Sequence, residues 1–375
     1  MQEYCLTSWR KRFLLCFGPS ILGGITFGDW LRLLRENRFD IHPAYWLRAA
    51  IITASSLGNS LDRRREEATY ARAIRDAIAD PPVFVLGIWR SGTTHLQNLL
   101  AVDERFAFPN WYQVAYPHSF LGTEAKRSKF LGFFIPETRI QDNMQYGLQC
   151  PAEDEFALCT TSARSPLLSW VFPRRAEHYA RFGTLGNVSE AEVAEWQAAL
   201  LGFVKKLACK NGKPPVLKSP FHTGRIRLLL DMFPEAKFVH IHRDPYAVFQ
   251  STCHTVRVAM RYCALQRHAL DAEEWTIRRY RELVDAFLAE KDLIPDGRFH
   301  ELRYDDLERD PIGQMRATYE ALELPDFGEI EPSVRRYVAS LGRYQKGVYA
   351  ERAPATKERL RNEWRRSFSA WGYPA

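Results

Sequence analysis

The chain lacks the features that mark several protein classes. Its 7 cysteines include no Cys-x-x-Cys pair, so the usual sequence sign of a zinc or dithiol redox site is missing. Their odd number and scattered positions favour reduced, mostly buried thiols over a secreted disulfide framework, and so predict a cytoplasmic protein. The basic residues form no long block, which argues against an arm that binds nucleic acid.

The apolar run near the N-terminus is too short to cross a bilayer. It covers residues 13–27, follows a basic triplet at 10–12, and is interrupted by glycine and proline. Three interpretations remain: a helical hairpin packed on the domain, which we favour, an interfacial membrane segment, or a signal sequence. We therefore expect either packing or a peripheral membrane contact through residues 13–30.

The composition is that of a folded protein. Of 375 residues, 46% are hydrophobic and 26% are charged, which excludes a disordered chain. The net charge of +7 suits an anionic ligand. A solvated basic surface without a dedicated partner would account for it equally well.

Strand and helix patterns alternate from residue 83 onward. Short apolar runs at 83–86, 216–218 and 237–242, and a further strand at 299–304, are each followed by a segment of helical character. Buried parallel strands have this continuously apolar pattern. The alternation predicts an α/β fold of the P-loop type, with a central parallel sheet and helices on both faces in three layers.

The remaining segments define the expected domain organisation. Residues 1–80 are predicted to form an N-terminal helical extension and residues 81–375 the main domain. Helices in the extension are expected at 30–38, 45–57 and 62–79. An irregular insert at about 106–187 is rich in aromatic residues, proline and glycine, and such inserts either build a substrate pocket or consist of packed loops.

The segment 83–94 has the pattern of a phosphate-binding loop. A buried strand leads into Gly87, and a helix is predicted from Thr93, directly after Gly92. Backbone amides and a helix N-terminus then point at one place, where a phosphate can bind. The ATP-binding P-loop requires lysine where Thr93 stands, and this loop carries Arg90 instead. The loop is therefore poorly suited to chemistry on a magnesium–ATP complex.

A sulfuryl donor would need neither that lysine nor a metal, because its transferring group carries less charge than a terminal phosphoryl group. The run Arg90, Ser91, Gly92, Thr93 and Thr94 resembles the 5′-phosphosulfate loop of sulfotransferases that use 3′-phosphoadenosine 5′-phosphosulfate (PAPS). The resemblance implies that these residues bind the phosphosulfate, with Arg90 also stabilising charge during transfer.

A second motif lies where the resemblance requires it. Arg243 ends a predicted strand and Ser251 follows eight residues later, the spacing that holds the 3′-phosphate of PAPS in sulfotransferases. Arginine suits this role because its planar fork binds phosphate oxygens in pairs. The alternative is an arginine paired with a carboxylate and an ordinary helical serine.

Further segments resemble the bacterial and tyrosylprotein-like branch of the family. Lys218 ends a predicted strand and would lie near the transferring group, and Tyr304 would contact the adenine. Arg343 and residues 346–347 resemble a basic-glycine element that grips the 3′-phosphate. A surface lysine and a core tyrosine are the alternatives for the first two.

The residue that accepts the acceptor's proton is harder to find. The segment 106–111, where the tyrosylprotein-like branch carries a glutamate, contains no carboxylate. Glu153, Asp154 and Glu155 stand together at a predicted helix start, and His118 lies in the insert. Either Glu153 or Glu155 is the expected catalytic base, if burial raises its pKa. These acids could instead simply complement the helix dipole.

The sequence therefore predicts transfer of the PAPS sulfuryl group to a hydroxyl or amine, with release of the bisphosphate PAP and no metal. The acceptor could be a small molecule, a glycan, a lipid or a peptide, and the oligomeric state is left open. A nucleotide-dependent phosphotransferase and an inactive nucleotide-binding scaffold at a membrane are the alternatives.

Overall fold

A parallel sheet forms the centre of the protein. The computed structural model describes residues 20–132, 147–267, 270–341 and 353–374. In this part of the chain the sheet consists of β1 (Val83–Leu86), β2 (Val216–Lys218), β3 (Lys237–His242) and β4 (Phe299–Arg303). The strand order is β2-β1-β3-β4, and every pairing is parallel. The carboxyl ends of all four strands therefore lie along one edge, where α/β proteins place their ligands.

Helices surround this sheet. Those before β2 are α1 (Phe27–Glu36), α2 (Trp46–Asp76), α3 (Thr93–Leu100), α4 (Trp111–Ala115), α5 (Phe120–Gly132), α6 (Glu155–Thr161), α7 (Leu168–Val171), α8 (Ala176–Ala180) and α9 (Glu190–Asn211). Those after β2 are α10 (Ile226–Met232), α11 (Pro245–Cys263), α12 (Ala272–Glu290), α13 (Tyr304–Arg309), α14 (Pro311–Ala321), α15 (Phe327–Ser340), α16 (Pro354–Glu363) and α17 (Arg365–Trp371).

The two faces of the sheet bury separate apolar layers. Phe84 and Phe238 belong to a large cluster on one face, whereas Val83, Val85 and Val239 belong to a smaller cluster on the other. Adjacent residues of one strand fall in different clusters because side chains alternate across a sheet. This arrangement confirms the predicted three-layer α/β fold.

The N-terminal segment shares the larger core. Leu22, Ile25 and Trp30 are buried in the same cluster as Phe84. Because these three side chains are buried in the core, they are not available for the predicted membrane contact through residues 13–30. Residues 13–19 lie outside the described part. Of the favoured hairpin, the structure describes only a 3₁₀ turn at Ser20–Leu22 and the first turn of α1. No helix in the described part is both long and apolar enough to span a bilayer.

Helix α2 is one element where the sequence predicts two. The polar residues between the predicted helices make tertiary contacts instead of ending a helix. The Asn59 side chain donates to the carbonyls of Gly23 (2.8 Å) and Ile25 (3.0 Å), and the Ser60 hydroxyl accepts from the Phe27 amide (2.8 Å). A local pattern cannot separate such contacts from a helix break, because the partners lie more than 30 residues away.

The described part of the insert contains more helix than the sequence predicts. Five helices, α4 to α8, occur among the described residues between 111 and 180. Four of them have only 4 to 7 residues, which is too short for a helical repeat of apolar residues to be recognised.

Candidate active site

The loop between β1 and α3 lies at the carboxyl edge of the sheet. A Cβ atom on Gly87 would lie 2.5 Å from the Ile241 carbonyl oxygen, so only glycine fits there. The Gly87 amide donates to the Thr223 hydroxyl (2.8 Å). Arg90 and Gly92 both have positive φ, 68° and 107°. The loop therefore curls tightly, and its last residue leads directly into the N-terminus of α3.

Tyr304 and Arg243 cover one side of this loop. A Cβ atom on Gly92 would lie 2.3 Å from the Tyr304 ring. The Arg243 guanidinium lies 4.3 Å from the centroid of that ring and donates to the Arg90 carbonyl (3.3 Å). Tyr304 was expected at the end of a strand, but β4 ends one residue earlier and Tyr304 opens α13. Its ring is thus held between the loop and an arginine.

Ser251 on α11 contacts the loop from another direction. The buried Ser251 hydroxyl accepts a hydrogen bond from Arg90 Nε (2.6 Å), and the next residue, Thr252, donates to the Trp89 carbonyl (3.3 Å). The structure therefore brings Arg90, Arg243 and Ser251 together, as the two sequence motifs predict. Two guanidinium groups and the start of a helix at one place are groups that can bind an anion.

Lys218 approaches the start of α3 from the end of β2. Its buried ammonium donates to Glu153 Oε1 (2.6 Å) and lies 3.5 Å from the Thr94 hydroxyl oxygen. The parallel pairing of β2 with β1 places the end of β2 beside the loop. A cation and a carboxylate thus stand together next to the proposed phosphosulfate loop.

The three neighbouring acids have three different partners. Glu153 pairs with Lys218, whereas Asp154 accepts a hydrogen bond from His222 Nε2 (2.6 Å). Glu155 is fully buried and accepts from Arg225 (2.8 Å) and from the hydroxyls of two serines, at positions 165 and 219. The structure therefore places Glu153 at the loop and Glu155 inside the core.

The electrostatics of Asp154 favour its charged form. Burial raises the pKa of this carboxyl, but the charge and hydrogen bond of His222 outweigh burial, and nearby backbone amides add to their effect. The net pKa of Asp154 is below its ordinary value. The middle acid of the run is therefore a buried anion that ties the start of α6 to the turn after β2.

His118 lies in a different electrostatic setting. Burial, together with the charge of Arg63, lowers the pKa of His118 to about 4, and its Nε2 lies 3.4 Å from the Thr160 carbonyl oxygen. A group with so low a pKa is a weak proton acceptor. Ordinary carboxylates have pKa values in the same range, so His118 has no advantage in basicity over a carboxylate.

Several residues that shape the site were not singled out from the sequence. Thr223, Thr252, His222 and Arg225 hold the loop or the acidic run in place. Thr223 and His222 lie in the turn directly after Lys218, and Thr252 directly follows Ser251. Their proximity to a motif is the only sequence feature that could have indicated a role. Their hydrogen-bond partners lie 68 to 163 residues away, so the local sequence does not reveal these contacts. Arg343 and residues 346–347 lie outside the described residues.

Comparison with known proteins agrees with this geometry. A family model described as "Sulfotransferase family" matches residues 81–329. Omega-hydroxy-beta-dihydromenaquinone-9 sulfotransferase Stf3 of Mycobacterium bovis is 37% identical over 346 residues, which cover 92% of this chain and 88% of that protein.

Solved structures share the fold. Sulfotransferase STF9 from Mycobacterium avium has a TM-score of 0.67 at 21% identity, covering 99% of this chain and 98% of that one. Sulfotransferase STF1 from Mycobacterium tuberculosis has a TM-score of 0.62 at 18% identity, covering 95% and 93%.

The chain belongs to the sulfotransferase family. It is an enzyme that transfers a sulfuryl group from a nucleotide co-substrate to an acceptor, which removes the phosphotransferase and the inactive scaffold as alternatives. Among the described residues, no group of three or more histidine, cysteine or carboxylate side chains could hold a metal ion. That a metal is unnecessary stays a prediction.

Proposed function

We propose that the protein transfers the sulfuryl group of PAPS to the hydroxyl of a lipid-like acceptor. The observation that carries the proposal is the convergence of Arg90, Arg243 and Ser251 on the loop that Lys218 and Glu153 flank. The two arginines and the serine can bind a nucleotide that has two separate anionic ends. The lysine and the glutamate can take part in the transfer itself.

The donor fits the charges of the site. The start of α3, at Thr93 and Thr94, and the Arg90 side chain would bind the 5′-phosphosulfate, assisted by Ser91 and the close approach that Gly92 allows. Arg243 and Ser251 would hold the 3′-phosphate.

The contacts of Tyr304 support a role in positioning Arg243. The cation–π contact with Tyr304 holds the Arg243 guanidinium beside the loop. Tyr304 would therefore assist donor binding by positioning Arg243. Contact between Tyr304 and the adenine stays a prediction.

Transfer then requires one proton acceptor and one cation. The acceptor oxygen attacks sulfur, the bond from sulfur to the 5′-phosphate oxygen breaks, and PAP leaves with the bonding electrons. Lys218 would neutralise charge on that departing oxygen, and Glu153 would take the hydroxyl proton.

The Lys218–Glu153 pair links donor binding to the availability of the base. Glu153 Oε1 accepts a hydrogen bond from the Lys218 ammonium (2.6 Å). An incoming phosphosulfate competes for Lys218 because it is itself an anion. We infer that donor binding loosens the pair and leaves Glu153 Oε1 available to the acceptor hydroxyl. Glu155 is assigned no catalytic role, because it is buried in the core and paired with Arg225.

The lipid-like class of acceptor is supported by similarity. Stf3, as its name states, acts on an omega-hydroxylated dihydromenaquinone, and 92% of this chain aligns with it at 37% identity. A hydroxylated isoprenoid quinol or a related lipid alcohol is therefore the acceptor class to test first.

Calorimetric titration with PAP in EDTA, beside 5′-AMP and ATP, tests the donor. We expect PAP binding that is lost in Arg243→Ala and is absent for 5′-AMP, because only PAP carries the 3′-phosphate. Arg303→Ala is a matched control: Arg303 ends the neighbouring strand and lies at the same 4.3 Å over a tyrosine, Tyr373. Wild-type protein that ignores PAP, or that binds 5′-AMP equally well, would overturn the PAPS proposal.

Transfer of labelled sulfate from PAPS tests the acceptor. Detergent-dispersed ω-hydroxy quinones should accept label, whereas simple sugars and small peptides should not. Labelling of a sugar or a peptide in preference to the quinone would refute the lipid assignment and leave the donor assignment intact.

A further inference from the structure

Large apolar side chains are exposed unevenly over the molecule. Ten such side chains are exposed in the described part of the chain, and five of them fall between residues 39 and 61. Four of these five lie on α2, with exposed fractions from 52% to 63%, at Trp46, Leu47, Leu57 and Leu61. Single exposed leucines are ordinary on a protein surface, but several on one helix mark a contact surface.

These side chains share one side of α2. At about 100° of rotation per residue, they fall within an arc of about 100°, together with the exposed Ala50 and Ala54. The opposite side is buried and carries Ala49, Ile52, Ser56, Asn59, Asp62 and Glu66. The helix therefore has a face toward the domain and an apolar face toward solvent.

The outward arc changes character along the helix. After Leu61 it carries Arg64, Arg65, Arg72 and Arg75, all of them exposed, with Ala68 between them. We call these arginines the basic half of the α2 face, and Trp46, Leu47, Ala50, Ala54, Leu57 and Leu61 its apolar half. Arg65 and Arg72 have carboxylates 3.6 Å away, on Asp62 and Asp76, but the arginine side chains are themselves 77% and 92% exposed. Pairs with so exposed a partner are weak and leave the arginines available to other anions.

We propose that the α2 face rests on the surface of an anionic lipid bilayer. The apolar half would enter the boundary between headgroups and acyl chains, with Trp46 at the depth that tryptophan prefers. The basic half would lie over lipid phosphates. The inference rests on the proposed function in one respect, that a lipid-like acceptor is found in a membrane.

The charges argue against a second copy of this chain as the occupant. Two such faces packed antiparallel along their full length would lay each apolar half on a basic half. Packed in parallel, they would bring four arginines against four. An anionic bilayer matches both halves at once, because apolar and negatively charged groups occur there side by side.

Co-sedimentation of the whole protein with lipid vesicles tests the proposal. One set of vesicles is pure phosphatidylcholine and the other contains phosphatidylglycerol. We expect binding to the anionic vesicles that weakens with salt. The variant Leu57→Gln/Leu61→Gln should bind at least about tenfold more weakly, and Arg65→Gln/Arg72→Gln several-fold more weakly at low salt.

Matched controls lie elsewhere on the surface. Leu201→Gln/Leu293→Gln replaces two exposed leucines outside α2, and Arg309→Gln/Arg335→Gln removes two charges from exposed ion pairs. Both controls should bind as the wild type does. Wild-type protein that does not sediment, or variants of the α2 face that sediment undiminished, would overturn the proposal.

Two further measurements separate the remaining explanations. A concentration-dependent dimer, in ultracentrifugation without lipid, that dissociates in Leu57→Gln/Leu61→Gln would assign the face to a second copy and refute the bilayer. PAP titration of the same preparations reports on the donor site independently of lipid. Failure of the proposed PAPS site and failure of the membrane proposal are therefore told apart.

Discussion

Two ion pairs start from the same short acidic run and end in different environments. Glu153 pairs with Lys218 at 2.6 Å, and the glutamate side chain keeps 19% of its surface exposed. Glu155 pairs with Arg225 at 2.8 Å, and neither side chain is exposed at all. The two glutamates are separated by one residue, yet one faces the proposed reaction and the other faces the core.

The difference lies in what else surrounds each pair. Arg225 also donates to the carbonyls of Phe182 and Gly183, so the buried pair is saturated with hydrogen bonds. Such a pair holds structure in place and is costly to break. The Lys218 pair borders Thr94 at the start of α3, the proposed phosphosulfate site, where an arriving anion could replace the carboxylate. We therefore expect the first pair to control the rate and the second to control folding.

Removal of Lys218 should have the largest effect on the rate. Lys218→Met deletes the cation proposed to neutralise the departing phosphate oxygen, and kcat should fall by about 10²–10³. Steady-state kinetics with PAPS measures this. Lys237→Met is the control, because Lys237 begins β3 at the opposite edge of the sheet and donates to the Glu323 carbonyl. A Lys218→Met variant with wild-type kcat would give the pair no catalytic role.

Replacement of Glu153 comes next. Glu153→Gln keeps the shape of the side chain but cannot accept a proton, so kcat should fall by about 10² with little change in melting temperature. The loss of rate should be similar at every pH above the acid limb of the wild-type profile. Near-full turnover in this variant would move the base to another residue and end the contrast between the two glutamates.

The same substitution two residues later should instead reduce stability. Glu155→Gln leaves the Arg225 charge buried without its anion, and the free energy of unfolding should fall by about 3 kcal/mol. Urea unfolding measures this loss. The fraction that remains folded should keep most of its kcat. An unchanged unfolding curve combined with a large loss of kcat would reverse the assignment of the two pairs.

Local sequence patterns predicted the fold and the tight turn of the proposed phosphosulfate loop. The apolar runs of the strands, the two glycines around Arg90 and the spacing from Arg243 to Ser251 each lie within about a dozen residues. They carry their own physical meaning, because a buried strand or a tight turn constrains its own sequence.

Long-range contacts could not be predicted in the same way. Glu153 and Glu155 are equivalent in the sequence, and only partners 65 and 70 residues downstream separate them. The sequence predicts two helices in place of the continuous α2 for the same reason, since Asn59 and Ser60 bind a distant segment. The sequence does not reveal the α2 face, because its leucines have the spacing of an ordinary buried stripe and only their exposure distinguishes them.

Asp154, between the two glutamates, offers the smallest effect and a pH test. Its pKa is lower in the folded protein than in the unfolded chain, so ionised Asp154 stabilises the fold above about pH 4. That contribution disappears as the pH falls through the folded-state pKa. Asp154→Asn should therefore lower the free energy of unfolding by about 1–2 kcal/mol at neutral pH, and the difference from wild type should shrink below about pH 4.

Asp103 provides the matched control for this last test. Its pKa is also lowered, because the hydrogen bonds of Arg105 and Tyr319 and the charge of Arg105 outweigh the effect of burial. Asp103 accepts a hydrogen bond from Tyr319, a residue of the smaller core, away from the acidic run. Asp103→Asn should show the same shrinking difference in urea unfolding and unchanged kcat, whereas Asp154→Asn should lower kcat as well, because Asp154 holds Glu153 opposite Lys218. A stability difference for Asp154→Asn that stays constant down to pH 3 would show that its charge does not stabilise the fold. An unchanged kcat in Asp154→Asn would show that Glu153 remains opposite Lys218 without the Asp154 carboxylate.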